Sequence, residues 1–141
     1  MDRYGVDHSL VEIELTETAT VTNSENARRL FRQFQEAGFH TAMDDFGAGY
    51  SVLNMVIDVP VNTVKLDRIF ISNCENSERG IFFLQQVILM IRNMGYQVLC
   101  EGVETEEQVK ILKEAGCDLG QGFLISKPVL MEEFERMVYG E

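Results

Sequence analysis

The chain has 141 residues, 45% hydrophobic and 25% charged, which allows one domain with a buried core and excludes a disordered polymer. Its net charge of −11 excludes a broadly basic nucleic-acid surface, so no DNA or RNA partner is expected. An anionic ligand stays open if metal ions offset the charge of its site.

The N-terminal "MDRYGVDHSL" has no signal-peptide core and reads as the tail of a helix. Residues 10–15, "LVEIEL", then alternate as a strand does. "SENARRLFRQFQEAG" has helical spacing from a Ser24 cap to Gly38, with Leu30, Phe31 and Phe34 on one face. "HTAMD" (40–44) is a second strand, followed by the long glycine-rich connection "FGAGYSVLNMVIDVP". Ordered loops of that length after a strand commonly carry function.

"NTVKL" (62–66) is a third strand. "SERGIFFLQQVILMIRNMG" is a helix from Ser77 to Gly95, with Phe82, Phe83, Leu84, Val87, Ile88 and Ile91 expected in the core. Its apolar run contains two glutamines and is too short to span a bilayer, so no membrane segment is expected. "YQVLC" (96–100) is a fourth strand. "TEEQVKILKEAG" pairs Thr105 with Gln108 as a capping box and stops at Gly116. "LGQGFLI" (119–125) is a fifth strand, and "LMEEFERMVYG" a last helix. The scattered Cys74, Cys100 and Cys117 form no disulfide framework and no zinc spacing, which fits buried thiols in a reducing, cytoplasmic setting. His8 and His40 are expected to be structural or exposed.

Alternation of strand and helix implies a parallel sheet with helices outside. Each strand carries one polar residue near its C-terminal end: Glu14, Asp44, Lys65, Glu101 and Gln121. If the sheet curves toward a barrel, these meet at one mouth, where such folds keep their chemistry. Asp44 and Asp45 are adjacent like charges, so either solvent or a cation separates them. Glu14, Asp44, Asp45 and Glu101 are hard oxygen donors and Gln121 adds a carbonyl oxygen, a set that suits Mg²⁺ or Mn²⁺. Lys65 can hold a water or hydroxide, or meet a developing phosphate charge. A metal-assisted hydrolase is one reading of the pattern.

The ordered segments "EIELTE", "MDDFGAGYSVL", "VKLDRIFI", "CEGVETEEQ" and "GQGFLISKP", spread over residues 12–128, resemble the motifs of the EAL domain family of cyclic di-GMP phosphodiesterases. The resemblance implies a TIM-barrel-like α/β fold, here a partial barrel of about five parallel strands with helices outside. It implies a two-metal Mg²⁺ or Mn²⁺ site held by Glu14, Asp44, Asp45 and Glu101. Lys65, Glu101 and Asp44 would be the catalytic residues, with Lys65 orienting the attacking water. Gln121 would help hold a metal-bound water or the substrate, and Glu104 would brace the metal site or the bound substrate. Glu17 would order the loop that contains Phe46, Gly47 and Gly49. The reaction implied is hydrolysis of cyclic di-GMP to linear pGpG.

By the same resemblance, residues 1–141 are the C-terminal part of a single EAL domain. The strand bearing the Glu-Ala-Leu motif and a later asparagine ligand are absent from the sequence. Ala48 and Val52 replace a threonine and a serine of the family's glycine-rich loop. Three functions follow as expectations: a phosphodiesterase with weak or no turnover by these residues alone, a cyclic di-GMP binder without turnover, or an interaction remnant. A homodimer covering the open barrel edges is a further expectation.

Overall fold

The computed structural model describes residues 2–16, 24–47, 57 and 59–140. Its strands are β1 (Glu12–Thr16), β2 (His40–Phe46), β3 (Thr63–Leu66), β4 (Gln97–Cys100) and β5 (Leu119–Gly120). Its α-helices are α1 (Ser24–Glu36), α2 (Arg68–Cys74), α3 (Glu78–Asn93), α4 (Glu106–Ala115) and α5 (Met131–Tyr139). The five strands form one parallel sheet in chain order, β1-β2-β3-β4-β5. The α/β class and the parallel sheet expected from the alternating pattern are therefore present.

Strand alternation sorts the side chains into two faces. Leu15, Met43, Val64, Leu66, Val98 and Cys100 join a core closed by Phe31, Ile71, Leu84, Ile88, Ile91 and Leu112 from the helices. On α3 the buried stripe is Leu84, Val87, Ile88 and Ile91. Phe82 and Phe83, expected in the core, are instead mostly exposed. The 3.6-residue period turns them off the stripe, and hydrophobicity alone does not reveal that. Leu30 likewise stays half exposed, while its neighbour Phe31 is buried.

Local chemistry sets the helix ends. The Ser77 hydroxyl accepts from the Gly80 amide at 3.0 Å and starts α3. Thr105 and Gln108 form the expected capping box, and Gly116 closes α4 in the left-handed conformation. Asp67 Oδ1 accepts from the Ile69 amide at 2.7 Å and starts α2, a short helix the sequence reading did not foresee. At the N-terminal end of the strands, Asn62 Oδ1 accepts from the Thr41 amide and hydroxyl, both at 2.9 Å, and Gln35 donates to the same hydroxyl.

Two further expectations need correction. The segment before β1 is not a helix tail but two 3₁₀ turns, Asp2–Tyr4 and His8–Leu10, the second capped by Asp7. The fifth strand stops at Gly120 rather than running to 125, because the chain folds back there: Ile125 and Ser126 amides both bond the Gly122 carbonyl. Helix α5 buries none of its residues, leaving Met131, Phe134, Met137 and Val138 exposed. No helix among the described residues is long and apolar enough to cross a membrane.

Candidate acid–lysine site

The strand ladder continues past the strand ends and fixes the rim. The Asp67 amide bonds the Phe46 carbonyl, the Glu101 amide that of Leu66, and the Gln121 amide that of Cys100. Glu14 on β1 lies opposite Ala42, and Asp44 stands two residues further along the same face of β2. Lys65 on β3 pairs with Leu99, one residue before Cys100, so Glu101 follows on the next rung. Four neighbouring segments thus present Glu14, Asp44, Lys65 and Glu101 together.

Their contacts are direct. Lys65 Nζ donates to Glu14 Oε1 at 2.7 Å and forms an ion pair with Glu101 Oε1 at 2.7 Å. Asp44 Oδ1 is 3.5 Å away. The lysine side chain is only 8% exposed, whereas its three partners keep part of their surface in water. Burial works to lower the Lys65 pKa, but hydrogen bonds to Glu101 and Glu14 and the Glu101 and Asp44 charges outweigh it and hold the ammonium above its ordinary value.

The paired aspartates sit on a bulge. Met43 pairs with Val64 and Phe46 with Leu66, so β2 spends one residue more than β3 between those rungs. Asp45 adopts a left-handed φ of 58°, rare for a residue with a side chain, and Gly47 follows at 101°. Phe70 of α2 lies against Gly47 and leaves no space for a Cβ there. Burial, then the Asp44 and Asp67 charges, raise the Asp45 pKa, and Lys65 only partly counters them.

A carboxyl with a raised folded-state pKa costs stability once ionised, and the cost is relieved as the pH falls through that pKa toward the unfolded value of 3.8. Asp45→Asn, which also tolerates positive φ better, is therefore expected to stabilise the metal-free chain at neutral pH by roughly 0.5–1 kcal/mol. Urea titrations at pH 7 and pH 4 check this, with the gain shrinking at the lower pH.

The donor chemistry fits a hard divalent cation: carboxylate oxygens without sulfur or imidazole. Asp44 Oδ1 is buried without a hydrogen-bond partner, an open acceptor of the kind a cation or water fills. Among the described residues, however, no group of three or more His, Cys, Asp or Glu side chains is arranged to hold a metal ion. In the arrangement found, an ammonium draws the acids together.

The remaining predicted residues divide. Phe46 is buried and Gly47 forms the corner, whereas Glu17 and Gly49 lie outside the described residues. Gln121 joins the rim through its backbone, and its carbonyl accepts from the Val103 amide at 3.0 Å. Its exposed side chain lines a surface hollow with Phe123, Ser126 and Lys127, and no described side-chain contact ties it to Lys65. Glu104 pairs not with the acids but with Arg68, at 2.8 Å.

The sequence reading gave no role to Arg68, Asp67 or Phe70. An aspartate directly before an apolar helical stretch is a cap signal, so Asp67 was recoverable. Arg68 and Phe70 depend on what crosses them from β4 and β2, which carries no local signal. His8 is structural, bonding the Ala37 carbonyl at 2.7 Å and stacking on Phe39, and His40 is exposed at the start of β2. All three cysteines are free, with Cys74 and Cys100 buried.

Comparison with known proteins places this rim in context. The chain matches the EAL domain over residues 1–128. The cyclic di-GMP phosphodiesterase PA2567 of Pseudomonas aeruginosa is 35% identical over 132 residues, covering 94% of this chain and 22% of that protein. The signaling protein YkoW of Bacillus subtilis is 33% identical over 138 residues, covering 98% of this chain and 17% of that protein. The chain thus spans about a fifth of the length of these curated relatives.

The crystal structure of the EAL domain of Mycobacterium smegmatis DcpA superposes with a TM-score of 0.90 at 35% identity, covering 99% of this chain and 63% of that one. The PaMucR phosphodiesterase in complex with c-di-GMP superposes with a TM-score of 0.83 at 29% identity, covering 94% of this chain and 53% of that one. With the family's motifs in order, its sheet and the converging acids in hand, the chain belongs to the EAL domain family.

Proposed function

We propose that the chain carries the acid–lysine half of a site for metal-dependent hydrolysis of cyclic di-GMP to linear pGpG. The observation that carries this reading is the convergence of Glu14, Asp44 and Glu101 on the buried Lys65 at the strand ends. It stands beside relatives named as cyclic di-GMP phosphodiesterases.

Glu14, Asp44, Asp45 and Glu101 would hold Mg²⁺ or Mn²⁺. Such ions activate a water and offset charge on the phosphate in an in-line displacement. Lys65 fixes Glu14 and Glu101 in register and, once released from one of them, can orient the attacking water. The bulge at Asp45 brings a second carboxylate to the corner that Asp44 alone does not reach. Gln121 and Glu104 border the substrate side.

By the family pattern, a complete ligand set also draws on a glutamate and an asparagine that residues 1–141 do not contain, so turnover by these residues alone is slow. The lysine-compensated arrangement of the acids favours a second reading, cyclic di-GMP binding without turnover. The sheet ends at β1 and β5 and the exposed apolar side of α5 fit a partner that covers them, a second copy being the simplest.

Incubation of the purified chain with cyclic di-GMP and Mg²⁺ or Mn²⁺, read by chromatography, tests the catalytic reading. The expected result is slow pGpG formation that chelator or Asp44→Asn abolishes. Formation at an unchanged rate with chelator present, or in Asp44→Asn, would overturn it. Binding without product would favour the second reading.

A further inference from the structure

We infer that Arg68 is a phosphate-contacting residue of this site, held in reserve by Glu104 until an anionic ligand displaces that carboxylate. The inference rests on the nucleotide reading given above. The rim is crowded with acids: Glu14, Asp44, Asp45, Asp67 and Glu101 all influence one another or Lys65. A phosphodiester approaching such a surface is repelled unless cations face it. Lys65 is a poor candidate for that task, since it is nearly buried and surrounded by Glu14, Glu101 and Asp44.

Arg68 is placed differently. It follows β3 by two residues, and its side chain crosses to the rim of β4, where its Cβ, Cγ and Cδ lie against Gly102. A Cβ on Gly102 would come within 2.5 Å of the Arg68 stem, and Gly102 itself has a φ of 65°. The glycine after Glu101 thus makes room for this arginine next to a residue that pairs with Lys65.

The guanidinium ends in an ion pair, Nη1 to Glu104 Oε1 at 2.8 Å, with the arginine side chain 59% exposed. An ion pair this open to water contributes little to folding and exchanges readily. A guanidinium presents parallel N–H donors that suit a phosphate at least as well as a carboxylate. Glu104 then acts as a placeholder that keeps Arg68 aimed in the absence of ligand.

Calorimetry of the full chain with cyclic di-GMP and Mg²⁺, alongside guanosine as a phosphate-free control, tests this. Arg68→Gln is expected to weaken cyclic di-GMP binding at least tenfold, with Arg68→Lys restoring part of the loss. Glu104→Gln, which removes the competitor, is expected to tighten binding several-fold. A merely structural ion pair would give the opposite sign at Glu104 and would lower the melting temperature of both variants. Wild-type affinity in Arg68→Gln, or weaker binding in Glu104→Gln, would overturn the inference while leaving the nucleotide reading intact. Failure of the wild-type chain to bind cyclic di-GMP would overturn both.

Discussion

Lys65→Met is expected to destabilise the metal-free chain by about 2–3 kcal/mol, more than an exposed ion pair supplies and less than a fully buried one. The lysine is buried, but Glu14, Asp44 and Glu101 retain contact with water, which screens their charges in part. Removing the ammonium leaves three carboxylates facing each other around an apolar side chain. For a domain of this size the loss lowers the melting temperature by roughly 10 °C. Adding Glu14→Gln and Glu101→Gln to the same chain should recover much of the loss, because the uncompensated charge goes with them.

The pH dependence has a definite sign. The folded-state pKa of Lys65 lies above its unfolded value of 10.5. Its contribution is therefore fully present below that value and is lost as the pH rises past it toward the folded pKa. Wild-type stability should fall in that alkaline range through a component that Lys65→Met lacks. Urea titrations from pH 8 upward would show it, and parallel slopes for the two chains would contradict the role given to the lysine.

Gly122→Ala is expected to cost about 3 kcal/mol or more, because overpacking against immovable atoms lies at the upper end of such effects. A Cβ there would collide with the N, C and O atoms of Val103. That backbone cannot retreat: the Val103 amide donates to the Gln121 carbonyl at 3.0 Å, and the Val103 carbonyl accepts from the Leu124 amide at 3.0 Å. Gly95→Ala is the contrast. Its backbone is left-handed, φ 90°, which that of Gly122 is not, but nothing lies near the added carbon, so only the conformational cost of about 1 kcal/mol remains. A loss at Gly122 no larger than that at Gly95 would contradict an immovable contact there. Gly122→Ala should also loosen Gln121, so its effect on ligand binding should exceed that of Gly95→Ala.

Much of this architecture was legible in the sequence. Strand alternation placed Glu14, Asp44 and Lys65 on one face, because the two-residue period is a property of the backbone. The caps at Ser77 and Thr105 were equally plain, since a hydroxyl before an apolar helix has one obvious use. Legibility failed where a feature depends on distant chain. The bulge at Asp45 exists only relative to the rungs of β3. Gly102 and Gly122 are small because Arg68 and the Val103 backbone pass over them. Phe82 and Phe83 look like core and are exposed, since the stripe they miss is defined by what α3 packs against. The ion pair of Glu104 with Arg68 was equally hidden, because the arginine comes from a neighbouring strand end.

The most direct measurement is Mn²⁺ binding to the intact chain in the presence of cyclic di-GMP, followed by water-proton relaxation. If the acids around Lys65 form a divalent-ion site, the wild-type chain shows saturable enhancement that Asp44→Asn largely abolishes. Equal enhancement in the two chains, or none in either, would mean that these carboxylates serve only to neutralise a buried lysine.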